Sequence, residues 1–288
     1  MPELPEVEVL VRHLDPLLRN KRIRAVDVRR EKVIAPTRLG EFTKTLRGAT
    51  FTSLSRSGKY LVFSLRLPRG RCFLRLIGHL GMTGRMYLLP AKAPLPKHAA
   101  VVIDLGKTKF VFEDTRYFGR LTLDTTALDR LGPEPLDGEF TAQKFGDALK
   151  RSSQAVKIKL LDQSLVAGVG NIYASEALYR AGISPRLAVR RLRPAQVQAL
   201  WRAIRDVLAD AIEHGSTVPL DYGGTRKRDG LFYFGRTAGT PDFYEERLRV
   251  YDRAGKPCAK CGAAIKRIVQ AARSTFYCPR CQHTHKQR

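Results

Sequence analysis

The chain has 288 residues, 43% of them hydrophobic, and its 52 Lys and Arg outweigh 27 Asp and Glu to give a net charge of +25. That length exceeds one typical domain, and the apolar share excludes a largely disordered chain. No apolar run approaches the ~18–20 residues that a bilayer span needs, and the charges of Glu3, Glu6, Glu8, Arg12, Asp15 and Arg19 exclude a secretory signal, so a cytoplasmic protein without membrane segments is expected. The basic excess is not a tail: residues 1–130 carry +13 and the remainder +12. Charge spread over both halves of a folded chain costs self-repulsion unless a polyanion lies against both, and nucleic acid is the polyanion expected.

In chain order, residues 5–18 place Val7, Leu10, Val11, Leu14, Leu17 and Leu18 at helical spacing. Glu6 and Glu8 suit the positive end of that helix, and Pro16 is expected to kink or end it. Short β-like segments follow at 23–30, 51–56, 60–66, 72–77, 99–105 and 109–113. Their lengths and Gly/Pro breaks favour an antiparallel sandwich over βαβ units. The Pro/Gly-rich stretch 131–140 reads as a linker. Beyond it the pattern turns helical. Two short helices lie between Lys157 and Pro185, joined by the turn 167–170, with Asn171 as N-cap of the second and Gly182 at its exit. Residues 194–213 then form a longer amphipathic helix, with Pro194 in its first turn and Gly215 beyond it. The organisation expected is α+β: a sandwich domain over 1–130, the linker 131–140, a helical domain over 141–250 and a metal-binding segment over 251–288.

Four of the five cysteines form Cys258-x2-Cys261-x16-Cys278-x2-Cys281, while Cys72 stands alone. Two such knuckles present four thiolates to one Zn²⁺, and a site filled by four sulfurs is closed and structural. His283 and His285 lie near enough to compete as ligands. The stretch 265–277 between the knuckles reads as a hairpin with Arg273 near its turn, a candidate phosphate contact on a basic ribbon. Gly168-Val169-Gly170-Asn171 lacks the third glycine of a dinucleotide loop, since Tyr173 holds that place. A turn beside a helix start nevertheless suits a DNA phosphate. Taken singly, Met82 in the turn from His79 to Met86, the run Arg116-Tyr117-Phe118-Gly119, and Lys59 after Ser57-Gly58 have plain structural readings.

Taken together the motifs say more. Pro2-Glu3-Leu4-Pro5-Glu6-Val7-Glu8, HLGMTG, RYFG, LGPEPL, GVGNIYASE and the zinc ribbon occur in this order, from Pro2 to Cys281. The set resembles the formamidopyrimidine-DNA glycosylase and endonuclease VIII family, and Leu4 and the Met82 turn resemble its formamidopyrimidine branch. The resemblance implies a β-sandwich with a leading helix, a helical domain with a helix–two-turn–helix motif, a zinc finger, and DNA lying between domains. It implies catalytic roles for Pro2, Glu3 and Glu6 and a phosphate-binding role for Lys59. Met82, Arg116 and Phe118 would fill the void left by a flipped nucleotide, and Lys157, Asn171 and Arg273 would contact phosphates. The resemblance also implies damaged double-stranded DNA as the partner, met by a monomer carrying one structural zinc.

The chemistry fits these residues. Removal of Met1 would free the secondary amine of Pro2, of which roughly a tenth is neutral at pH 7. Attack on C1′ of the sugar would expel the base and leave a cationic iminium, because proline nitrogen then has no hydrogen to lose. That electron sink would drive β,δ-elimination of both phosphates, with Glu3 as proton donor and no metal in any step. C1′ is out of reach in a stacked duplex, so the nucleotide must be flipped. Two other functions share part of the pattern: an endonuclease VIII-like enzyme for oxidised pyrimidines, and a non-catalytic nucleic-acid-binding zinc protein. One departure bears on lesion choice. The segment after Gly215-Ser216-Thr217 is longer and more basic than the family pattern, with Thr225-Arg226-Lys227-Arg228-Asp229-Gly230 and Phe232-Tyr233-Phe234 inside it.

Overall fold

The computed structural model describes residues 2–68, 73–150, 152–214 and 247–282; Cys72, the segment from Gly215 through Phe234, His283 and His285 lie outside them. The described residues fall into two compact units, one ending at Asp129 and the other beginning at Arg130.

The first unit opens with helix α1 (Leu4–Leu18), followed by β1 (Ala25–Val28), α2 (Leu39–Leu46), β2 (Thr50–Ser57) and β3 (Tyr60–Arg66). It continues with β4 (Phe73–His79), β5 (Gly84–Pro90), β6 (Ala99–Asp104), β7 (Thr108–Asp114) and β8 (Arg120–Thr122). Two antiparallel four-stranded sheets result, ordered β1-β6-β7-β5 and β2-β3-β4-β8. They share one core. Phe63 of β3 meets Phe110 of β7 edge-to-face at 5.6 Å, and Val7, Leu10 and Leu14 of α1 pack into the same cluster. This is the expected sandwich, with three additions, the first of them the short strand β8. The glycine-broken turn hands over directly to β5 at Gly84, and residues 39–46 form a helix. Pro16 neither ends nor breaks α1: it lies exposed, while Leu14 and Leu18 on either side are buried, and that packing carries the helix past it.

The second unit contains α3 (Ala142–Lys150), α4 (Val156–Lys159), α5 (Asn171–Arg180), α6 (Pro194–Glu213), β9 (Lys266–Gln270) and β10 (Arg273–Tyr277). Within the stretch 131–140, residues 135–140 run along α6, where Arg205 Nη1 donates to the carbonyls of Pro135 and Asp137 and the Trp201 indole donates to Phe140 O at 2.7 Å. Helix α6 has the bounds its apolar spacing predicts, burying Leu200, Ile204, Val207 and Leu208. Asn171 is not the N-cap of α5. Gly170 takes that place and Asn171 is the first helical residue. Strands β9 and β10 pair antiparallel across Ala271 and Ala272, both at positive φ (48° and 57°), as a tight hairpin turn requires. Among the described residues no helix is long and apolar enough to cross a membrane.

Candidate active site and zinc centre

The N-terminal residues are set by the cap of α1. Pro5 lies in its first turn, and Glu6 reaches back so that Oε2 accepts the backbone N–H of Glu3 at 2.7 Å. Glu3 and Glu6 are both buried, while Pro2 is partly exposed. Glu6 therefore holds the backbone next to Pro2 in place. Lys59 is buried on the two-residue turn between β2 and β3, where Ser57 pairs with Tyr60 and Gly58 has φ +55°. Arg56 ties α1 to that turn, donating from Nε to Glu8 at 2.9 Å and from Nη1 to Gly58 O at 3.1 Å. Burial raises the Glu8 carboxyl, but its bonds from Arg12 and Arg56 outweigh that and leave it below the usual range.

Met82, Arg116 and Phe118 come together on the same unit. Arg116 Nη1 lies 3.3 Å from Met82 Sδ, and its guanidinium sits 4.7 Å from the centre of the Phe118 ring. Met82 and Phe118 are 48% and 49% exposed, among the few large apolar side chains of the described residues presented to solvent. Lys32 adds a second cation 5.8 Å from the Phe118 ring. Before the Met82 turn His79 packs against Tyr60 with the two rings tilted and their centres 4.9 Å apart, and its Nδ1 accepts the Gly81 N–H at 3.1 Å. Burial, helped by the charges of Lys59 and Arg120, pushes the His79 ring down to about 4. The ring is therefore neutral at pH 7 and Nδ1 remains an acceptor.

On the second unit Lys157 is buried and its amine donates to Asn171 Oδ1 at 2.5 Å; Asn171 Nδ2 donates to Ser274 O at 2.8 Å. Asn171 thus joins α4, α5 and β10, and the exposed Arg273 follows the hairpin turn beside Ser274. The four cysteine sulfurs lie within 4.8 Å of one another, with Cys258–Cys281 at 3.9 Å and Cys261–Cys278 at 3.5 Å. Sulfurs about 2.3 Å from a tetrahedral ion stand about 3.8 Å apart, so Zn²⁺ fits this donor set. Sequence spacing missed what holds the set. Tyr179 OH lies 3.2 Å from Cys258 Sγ, and Gln282 bridges Cys278 N to Ile183 O. Glu176 accepts the backbone N–H groups of Arg249, Val250 and Tyr251 at 3.0, 2.9 and 2.8 Å. Burial raises the Glu176 carboxyl, with those three donors pulling it back.

Three family profiles cover the chain: the formamidopyrimidine-DNA glycosylase N-terminal domain over residues 1–121, the formamidopyrimidine-DNA glycosylase H2TH domain over 131–220, and the zinc finger found in FPG and IleRS over 255–284. The chain belongs to the formamidopyrimidine-DNA glycosylase family. Formamidopyrimidine-DNA glycosylases of Carboxydothermus hydrogenoformans and Desulfitobacterium hafniense are 38% and 40% identical to it, over 98% of this chain and all of theirs. Among solved structures, a mutant of Lactococcus lactis Fpg in complex with a Fapy-dG containing DNA is 31% identical with a TM-score of 0.84, covering 98% of this chain and all of that one. MutM in complex with carbocyclic 8-oxo-G containing DNA has a TM-score of 0.83 at 31% identity with the same coverage. The family carries an FPG-type zinc finger, and in this member the four clustered cysteines hold one structural zinc.

Proposed function

We propose that the protein is a bifunctional DNA glycosylase and abasic-site lyase of base excision repair, acting in the cytoplasm as a monomer on oxidised purines in duplex DNA. The observation that carries the reading is the contact group Met82–Arg116–Phe118, two apolar wedges and a hydrogen-bonding cation, exposed on the unit whose first helix is capped by Glu3 and preceded by Pro2. Solved relatives bound to DNA containing Fapy-dG and carbocyclic 8-oxo-G support the substrate class.

In this reading the neutral amine of Pro2 attacks C1′, and the bond from C1′ to the damaged base breaks. The base leaves with that electron pair and a proton. The C1′–O4′ bond then opens, O4′ takes a proton from Glu3, and C1′ becomes an iminium on proline nitrogen. Loss of the C2′ proton expels the 3′ phosphate, a second elimination expels the 5′ phosphate, and water releases Pro2. Glu6 holds the Glu3 backbone during this sequence, and Lys59 binds a phosphate. Phe118 and Met82 occupy the stack vacated by the flipped nucleotide, which offsets part of the few kcal/mol that unstacking costs, while Arg116 hydrogen-bonds the orphaned partner base. Zinc supplies no chemistry; it holds the ribbon that carries Arg273.

Borohydride trapping tests the nucleophile. Incubated with an 8-oxoguanine duplex, the protein should form a covalent adduct whose peptide map places the sugar on Pro2. Retention of Met1 should abolish it, since Pro2 nitrogen would be an amide. An adduct on Lys59 would sink the assignment. Faster trapping on an oxidised pyrimidine than on 8-oxoguanine would move the enzyme to the endonuclease VIII side of its family.

A further inference from the structure

Asp114 ends β7 and is completely buried, yet it belongs to none of the groups assigned above. Its Oδ1 accepts the Thr83 hydroxyl at 2.5 Å and the Arg116 backbone N–H at 3.1 Å, and its Oδ2 accepts the Gly119 N–H at 2.8 Å. Thr83 follows Met82, and Gly119 follows Phe118. Each member of the exposed trio is therefore one residue or less from a donor to this one carboxylate. The two loops it joins lie backbone against backbone. A Cβ on Gly81 would come 2.7 Å from Gly119 N, and one on Gly119 would come 2.7 Å from His79 O. Between Arg116 and Phe118, Tyr117 sits at φ +52°, a conformation side chains rarely adopt and one that surrounding bonds must impose.

We infer that Asp114 is the positioning residue of the void-filling trio, a pin that fixes the Met82 turn and the Arg116–Phe118 loop in one rigid wedge. A wedge inserted into a base stack has to be preformed: if its two loops move independently, the ordering cost falls on the flipping step. A carboxylate suits the place because it accepts on both oxygens. The amide of an asparagine would turn a donor toward either Gly119 N–H or the Thr83 and Arg116 donors. The inference rests on reading Met82, Arg116 and Phe118 as the wedge, and the test separates the two.

Single-turnover rates are compared on two duplexes, one bearing 8-oxoguanine and one a preformed abasic site, where less unstacking is required. Thr83→Val removes one donor to Asp114 with little change of shape. It should lower the ratio of base excision to abasic-site incision by about ten- to a hundredfold, the range for removing a hydrogen bond to a charged acceptor. Thr83→Ser should restore the ratio, and Asp114→Asn should lower it further if it folds. Met82→Ala serves as the control for the wedge itself. If Met82→Ala lowers the ratio but Thr83→Val leaves it at the wild-type value, or Thr83→Ser fails to restore it, the pin is overturned. If Met82→Ala leaves the ratio unchanged, the wedge reading falls and the pin with it.

Discussion

At the scale of single residues, burial fixes the protonation of the His79 ring in the first unit. Its ordinary value of 6.5 is pushed to about 4, chiefly by burial, so between those values the unfolded chain takes up a proton that the folded chain refuses. Stability from this ring is complete above pH 6.5 and is lost as the pH falls toward 4, on the order of 3 kcal/mol over that span. Glu8 is depressed too, but its contribution is lost only below its ordinary 4.5, so the upper part of the acid window belongs to His79. Chemical unfolding as a function of pH should show stability falling from pH 6.5 downward. His79→Asn, whose Oδ1 can stand where Nδ1 accepts the Gly81 N–H and does not titrate, should flatten that fall. An equal slope in the variant would show that another group carries it.

At the scale of elements, Asn171 joins α4, α5 and β10, and a prediction for Arg273 follows from that junction. Arg273 stands beside the Ser274 carbonyl that Asn171 grips, on a hairpin whose turn is fixed by two residues at positive φ. Each phosphate that a cation no longer neutralises in a duplex interface makes the slope of log affinity against log salt shallower by about 0.9. Arg273→Ala should do so equally on damaged and undamaged duplexes; an unchanged slope would remove Arg273 from the interface. The ribbon and α6 were legible in the sequence because each carries a strong local signal, cysteine spacing in one and 3.6-residue periodicity in the other. Strand β5 was not, since its opening Gly84 belongs equally to the preceding turn and its inner run Met86–Leu89 is buried on both faces, which erases alternation. The motifs marked Pro2, Glu3, Met82, Arg116 and Phe118, but Asp114, Arg56 and Tyr179 carry no motif-level signal. They matter through partners 31, 48 and 79 positions away, in Thr83, Glu8 and Cys258.

At the scale of the whole molecule, the charge of +25 and the zinc act on the same quantity, affinity for a polyanion. Neutralising roughly six to ten phosphates implies that affinity drops by roughly 10³–10⁵ between 50 and 200 mM salt, and binding should show that steepness. Zinc enters through the small cluster of Val250, Cys258, Ile265, Phe276 and Cys278, which shares no residue with the sandwich core of the first unit. A cluster of that size does not fold a hairpin alone, so the metal supplies the folding free energy of the ribbon. The protein should contain one zinc per chain, with Zn–S near 2.3 Å by X-ray absorption. Cys261→Ser should loosen the ribbon, release Arg273 from its place beside Ser274 and weaken DNA binding, while the melting of the sandwich and trapping at Pro2 under excess enzyme persist. Turnover should fall through affinity, and raising the enzyme concentration should recover part of it. If the variant or the chelated protein binds duplex as tightly as the wild type, the ribbon lies outside the binding surface; if the sandwich melts with the zinc, the two cores are not independent.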